Sequence, residues 1–495
     1  MQNASTRLAA KCLLLTSFLL APTMLLLGQS NIAHLMQQEG STSRGKNPST
    51  SAAKGASTQA KPASPGAKDP QIAAAVKEVS PDQLKATIEK LVSFGTRNTL
   101  SANVPELAQQ GKGIVAAREW IKSEFERYSK ACGGCLVVNV DLFTQPADNR
   151  RVPQPTELGN VYAVMKGTDP ENAKRVYIIG GHYDSRASND LDAKIDAPGA
   201  NDDGSGTAVT LEAARVLSKH KFPATIVFVT FPGEEQGLYG SKHFAGFAKQ
   251  QGWDVNGVLS NDIVGGDNNP GQKPMMRVFS EGLPITADDK QDKQVRMIGA
   301  ENDSPSRELA RYVVDAARQY VPAGFTAKMI WRQDRYLRGG DHISFNQEGI
   351  AAVRLTEWSE DFNHQHQTVR MENGVQYGDL PKFVTYQIMA NIARVNVASL
   401  ASLASAPAPP QDVKIDTKKL TNDSTLMWQA APGGRATGYE LVSRETDASN
   451  WQHAEPPVNG TEITVHESKD NVVFGVRSVD AKGHKSLAVM PLPQR

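Results

Sequence analysis

The sequence predicts an α/β fold with a mostly parallel central sheet and helices on both faces, followed by a small C-terminal all-β sandwich. Three observations predict it. Short apolar runs (NVYAVMKG, RVYIIGGHYDS, TIVFVTFPGEE, GVLSNDIVGG and GIAAVRLTEW) alternate with helical segments such as TAVTLEAARVLSKH and SRELARYVVDAARQYV. The runs are nearly continuous in apolar character, as strands buried on both faces are. From residue 411 to 495 the pattern changes to alternating strands (STLMWQA, TGYELVSRE, TEITVHE, NVVFGVRSVD) between turn-rich pieces.

The chain has 495 residues, 39% of them hydrophobic, which suits two or three globular domains. Its 54 basic and 53 acidic residues leave a formal charge of +1, too little to gather nucleic acid over the surface. Residues 1–30 carry Arg7 and Lys11 ahead of CLLLTSFLLAPTMLLLG, which reads as an export signal. The expected location is periplasmic or extracellular, with no stable membrane span after cleavage; retention of this segment as an anchor is the competing expectation. Residues 31–70 are rich in Ser, Ala, Lys, Gly and Pro and predict a disordered tether.

A catalytic domain is expected over residues 71–405. Near its start, Ser80 and Pro81 form a helix-start signal, and GIVAAREWIKSEFERY predicts a second helix. Cys132 and Cys135 in ACGGC predict a local disulfide, since no second pair is present to complete a zinc ribbon. The stretch LASLASAPAPP reads as a linker to a domain over 406–495. There the placement of STLMWQ, GYELVSRE, Trp451 and FGVRSVDAKGHKS resembles a fibronectin type III domain, which implies a spacer or adhesive module.

The chemistry collects at strand ends. Parallel sheets bind ligands beyond the carboxyl ends of their strands. Here His182 and Asp184 follow VYIIGG, Glu234 and Glu235 follow TIVFVTF, and Asp262 follows GVLSN. Asp202 and Asp203 stand in GANDDGSG ahead of a helix, and His364 and His366 come after the last run. A single strand-end acid is ordinarily solvated or a helix cap. Successive strands ending in His, Asp and Glu form the mixed nitrogen and oxygen set that zinc accepts. Two adjacent acids on one turn point in different directions, so one can hold a metal while the other takes a proton from water.

HYDSR, GANDDGSGTA, PGEEQGLYGSKHFA, NDIVGG and GGDHISFNQEGIAAVRLTE, in this order, resemble the co-catalytic zinc aminopeptidases, whose relatives include glutamate carboxypeptidases and glutaminyl cyclases. The resemblance covers about residues 80 to 400 and implies a zinc-exopeptidase-like fold, two zinc ions and peptide substrates. It also implies that Asp202 bridges the ions, that His182 and Asp262 complete one shell, and that Glu235 and a late histidine complete the other. Glu234 would be the general base, with Asp184 behind His182, and the Asp202–Asp203 peptide would be cis. The late histidine is His366 or His364: distance from Phe362 favours the first, spacing to Thr368 the second. The family's run of His-Thr-x-x-Asp is replaced here by FNHQHQTVR, without an aspartate at that place. Asp341 and His342 match a family position near the substrate and are not counted as ligands.

Competing readings fare worse. The GANDDGSG loop fits EF-hand spacing but lacks the first acidic ligand and an entering helix. No G-x-S-x-G elbow supports a serine hydrolase. A glutaminyl-peptide cyclotransferase on the same fold, or a non-catalytic binding protein, are the functional alternatives. Side-chain preference is left open: Arg332, Arg335 and Arg338 suit acidic groups, but such arginines are more often plain surface or salt-bridge residues.

Overall fold

A computed structural model describes residues 68–148 and 150–494. The expected export signal over 1–30, with Cys12, and nearly all of the tether over 31–70 lie outside these residues. One correction falls at the boundary. Asp69, read as tether, caps the helix Pro70–Lys77 by accepting N–H bonds from Gln71 at 2.6 Å and Ile72 at 3.1 Å. The next two helices follow the sequence signals. Ser80 caps Pro81–Val92 through Gln83 N, and Gly113–Ala131 buries Ile114, Ala117, Ile121 and Phe125 along one face.

The main sheet has eight strands: β1 (Val137–Gln145), β2 (Thr156–Met165), β3 (Arg175–His182), β4 (Thr225–Phe231), β5 (Asp254–Asn261), β6 (Met275–Ser280), β7 (Thr326–Ile330) and β8 (Ala352–Glu357). Their order is β1-β2-β4-β3-β5-β8-β6-β7. The middle, β4-β3-β5-β8, is parallel, while β2 against β4 and β6 against β8 are antiparallel. Strands β1, β6 and β7 were not anticipated, since their mixed polar sequences lack the continuous apolar signature of the middle strands. β3, β4 and β8 are buried throughout, which explains their uninterrupted hydrophobicity. Helix Gly204–Leu217 packs close to the sheet at Gly206, where a Cβ would stand 2.2 Å from the Asn261 carbonyl oxygen. That contact brings the helix start, and Asp202 before it, against the ends of β3 and β5.

Helix Tyr386–Ser405 is largely buried, so its apolar length reflects a core helix. It also absorbs the first residues of the expected linker LASLASAPAPP. Leu400 and Leu403 are buried in the core at helical spacing, and proline enters only at Pro407. A disulfide joins Cys132 and Cys135, with Cα atoms 5.6 Å apart.

The C-terminal strands form two sheets, one with four strands and one with three, around Val413, Leu426, Trp428, Tyr439, Leu441, Phe474 and Val476. They meet the helix Pro305–Tyr320 through a buried polar cluster. Glu308 accepts from Trp451 Nε1 at 3.2 Å and from the Ala488 N–H at 3.0 Å. Asp303 pairs with Arg311 at 3.0 Å and Arg444 at 2.5 Å, and both guanidiniums flank the Trp451 ring. Glu308→Ala strands two buried N–H donors and removes a carboxylate 3.4 Å from buried Arg311, so it should cost about 3–5 kcal/mol. Urea unfolding read by tryptophan fluorescence checks this; Glu308→Gln, which retains an acceptor, should lose less.

Candidate metal centre

His182 is the last residue of β3, and its backbone N–H donates to Asp203 Oδ2 at 3.0 Å. Because His182 pairs with Phe231, the loops leaving β3 and β4 depart side by side. Gly233 turns the second loop with a φ of 72°, which glycine adopts without strain. The turn delivers Glu234 and Glu235, and Asp184 receives both of their N–H groups at 3.2 Å while its Oδ1 lies 3.3 Å from His182 Nδ1. Asp184 therefore orients the histidine and anchors the acidic pair together.

Asp202 sits at the centre. Its Oδ1 is 3.3 Å from His182 Nε2 and its Oδ2 is 2.9 Å from His366 Nε2. Asp262 Oδ1 approaches the first histidine nitrogen to 3.9 Å, and Glu235 Oε2 approaches the second to 3.0 Å. Two ligand groups result, His182/Asp202/Asp262 and Asp202/Glu235/His366, sharing one carboxylate. Glu234 Oε2 faces the first group, 4.0 Å from His182 Nε2. The peptide bond between Asp202 and Asp203 is cis.

Of the two late histidines, His366 joins the centre and His364 does not. His364 Nδ1 is 2.7 Å from Asp267 Oδ2, and its ring stacks on Phe383 with centroids 3.6 Å apart. The turn residue His366 has a φ of 57°, and this left-handed backbone aims the two rings apart. His342 also lies away from the centre, with Nε2 2.9 Å from the Gln333 carbonyl.

Four supporting residues were not read from the sequence. Asp379 accepts the N–H of Asn201 at 2.9 Å and of Asp202 at 2.7 Å, fixing the backbone that carries the shared carboxylate. It follows an intervening hairpin, β9 (Arg370–Glu372) and β10 (Val375–Tyr377), which displaces it along the chain. Gln365 Nε2 donates to Asp202 Oδ2 at 2.8 Å, and Arg354 Nη2 lies 3.0 Å from Asp262 Oδ1. Arg97, fully buried, donates to the carbonyls of Tyr183, Pro198 and Gly199, gathering the loop between His182 and Asp202. Buried arginine satisfying several carbonyls was the one signal available, and it needs the fold to be seen.

The electrostatics agree with a cation site. Burial disfavours a charged imidazole, yet Asp184 and Asp202 outweigh it and hold His182 well above its usual range. His366 is raised likewise, burial being overcome by Glu235 and Asp202. Burial lifts Glu234 well above the usual carboxylate range. His182 Nε2 and Glu235 Oε1 are buried and make no hydrogen bond. The unbonded His182 Nε2, 3.3 Å from Asp202 Oδ1 and 3.9 Å from Asp262 Oδ1, is the arrangement that a divalent ion satisfies.

Peptidase family M28 matches residues 160–373, which span the five ligand residues, Asp184 and Glu234. A probable zinc metalloprotease of Pyrenophora teres f. teres (strain 0-1) is 45% identical over 430 residues, covering 86% of this chain and 87% of that protein. The chain belongs to peptidase family M28. Another probable zinc metalloprotease, from Pyricularia oryzae (strain 70-15 / ATCC MYA-4617 / FGSC 8958), is 43% identical over 435 residues, covering 86% of this M28 chain and 85% of its own. Among solved structures, the Legionella pneumophila LapA aminopeptidase matches at 23% identity and a TM-score of 0.48, over 70% of this chain and 78% of that one. The expectation of a hydrolytic metallopeptidase is met, and zinc is the metal that both the family and the donor set of this M28 peptidase support.

Proposed function

We propose that this M28 peptidase is an exported aminopeptidase that removes N-terminal residues from peptides with two zinc ions. The observation that carries the reading is the division of Asp202, one oxygen toward His182 and the other toward His366, which suits a carboxylate shared by two ions. A single-zinc cyclotransferase has no need of that bridge. The signal-like residues 1–30 and the disulfide support export into an oxidising compartment. The C-terminal sheets are read as a fibronectin type III-like module without chemistry of its own.

Bound zinc supplies Lewis acidity, polarising the scissile carbonyl and lowering the pKa of water toward about 7. His182 and Asp262 would hold one ion, Glu235 and His366 the other, and Asp202 both. Glu234 takes the proton from the attacking water and returns it to the leaving amine. The surrounding carboxylates favour the ammonium end of the substrate. Metal quantification beside a panel of free and N-blocked peptides tests this reading. Two zinc ions with rejection of blocked peptides is the expected result. Activity confined to blocked or carboxyl-terminal substrates, or conversion of N-terminal glutamine to pyroglutamate without hydrolysis, would overturn it.

A further inference from the structure

The cleft above the centre encloses about 300 Å³, at the lower end for small-molecule sites. Its acidic lining residues are Asp202, Glu234, Glu235 and Asp262, all already assigned to the metals or the proton. Every other charged residue lining it, His366 aside, is an arginine: Arg151, Arg186, Arg335 and Arg338. An acidic floor is thus bordered by cations.

Arg335 is held by two carboxylates, with Asp334 Oδ1 3.1 Å from its Nε, whereas among the described residues Arg151 has none and Arg186 only a distant one. Arg335 and Arg338 share Glu360 Oε2 at 2.9 and 3.1 Å, and Arg277 holds the other oxygen at 2.8 Å. Glu360 thus touches three cations and stays ionised, its pKa pushed down to about 2 against burial by Arg335, Arg354, Arg338 and Arg277. Arg186 reaches only the carbonyls of Ala187 and Ser188 and stands 4.0 Å from Asp190. Arg151 has a single side-chain bond, to the Glu235 carbonyl at 3.3 Å. A guanidinium carries five donors, so both keep unspent N–H groups beside the cleft, and Arg151 keeps its Nε–Nη2 fork.

The position of Arg151 is constructed. Asp148 accepts the N–H groups of Arg150, Arg151 and Val152 at 2.9, 2.7 and 2.8 Å, and the hydroxyl of Tyr239 at 2.7 Å. Tyr239 begins the helix that follows Glu234 and Glu235. The loop bearing Arg151 is thereby tied to the turn bearing the proposed base. Arg186 lies two residues beyond Asp184, on the loop leaving β3.

We infer that the cleft selects peptides with a carboxylate as well as a free amine, and that Arg151 and Arg186 bind that carboxylate. The inference rests on the aminopeptidase reading for the placement of the amine. The carboxylate is either the C-terminus of a peptide two or three residues long or an acidic side chain next to the scissile bond; a cleft of this size favours the short peptide. Arg335 and Arg338, held by Glu360, add positive field without moving.

The zinc-loaded full chain is assayed on Leu-Gly against Leu-Gly amide, and on Leu-Glu amide against Leu-Gln amide. In at least one pair the carboxylate-bearing member should have a KM about tenfold lower, as a charge-assisted bidentate contact allows. Added salt should erode the difference. Arg151→Gln combined with Arg186→Gln should remove it, the loss appearing as a rise in KM confined to the carboxylate-bearing peptide, since uniform binding is what is lost. Arg151→Lys, which retains charge without the fork, should restore part of it. A preference in the first pair assigns the carboxylate to the chain terminus, and one in the second assigns it to a side chain. Equal KM values in both pairs, or a difference that survives the double substitution, would overturn the inference. If no free peptide is cleaved at all, equilibrium binding of the same four peptides still reads the carboxylate preference, so failure of the aminopeptidase reading is told apart from failure of this one.

Discussion

Glu234→Gln should lower kcat by about 10²–10⁴-fold, the usual contribution of a general base, while zinc content stays that of the wild type. The expectation follows from position. Glu234 lies next to the ligand group, 4.0 Å from His182 Nε2, yet belongs to neither set of converging ligand atoms. Its N–H is held by Asp184, so the amide replacement leaves the turn in place and keeps Glu235 aimed at His366. The amide cannot accept a proton, which removes both the activation of water and the return of that proton to the leaving amine. KM should change little, because the lost interaction is made in the transition state. Metal analysis and steady-state kinetics on one preparation check the result. A variant that keeps wild-type turnover would move the base elsewhere, and one that loses an ion would make Glu234 a ligand.

How much of this was legible in the sequence depended on whether local order carried the information. β3, β4 and β8 are buried throughout and β5 from Gly257 onward, and their apolar runs end where the chemistry begins, so His182, Glu234, Glu235 and Asp262 could be read from strand ends alone. Asp202 was reachable because it stands in a distinctive loop immediately before a helix. Asp379 was not, since the β9–β10 hairpin lies between it and His366 and only folding returns it to the Asp202 N–H. Arg354 is concealed inside an apolar strand, and its role appears only once Asp262 lies 3.0 Å away. The choice between His364 and His366 turned on one left-handed residue, which spacing alone does not reveal. β1 and β7 lack two-sided burial, and β6 is broken by half-buried Met275 and Arg277, so none carries the pattern that disclosed the middle of the sheet.

Chelation should abolish activity and also reverse the dependence of stability on pH. In the metal-free protein His182 and His366 bind protons well above the usual histidine range, and Glu234 and Glu235 above the usual carboxylate range. Asp341, buried close by, is raised to about 7. In every one of these groups the folded state holds protons that the unfolded chain, with ordinary values of about 4 for acids and 6.5 for histidine, has begun to release. Where the native state binds more protons, stability falls as pH rises. The stabilisation is full below those unfolded values and is lost as pH climbs through the raised folded ones. Asp202 is shifted the other way, well below its usual value, so its contribution changes only in acid, as pH falls from the ordinary aspartate range toward its depressed one. Zinc requires the opposite protonation, neutral histidines and ionised carboxylates, and therefore binds more tightly as protons leave. At a free concentration 1,000-fold above Kd it adds about 4 kcal/mol. Melting temperatures at pH 5.5 and pH 8, with zinc and with chelator, should diverge: the metal-free protein loses stability toward pH 8 while the gap to the loaded protein widens. Parallel curves across that range would show that the two histidines and their carboxylates do not exchange protons for metal, and the centre would have to be reassigned.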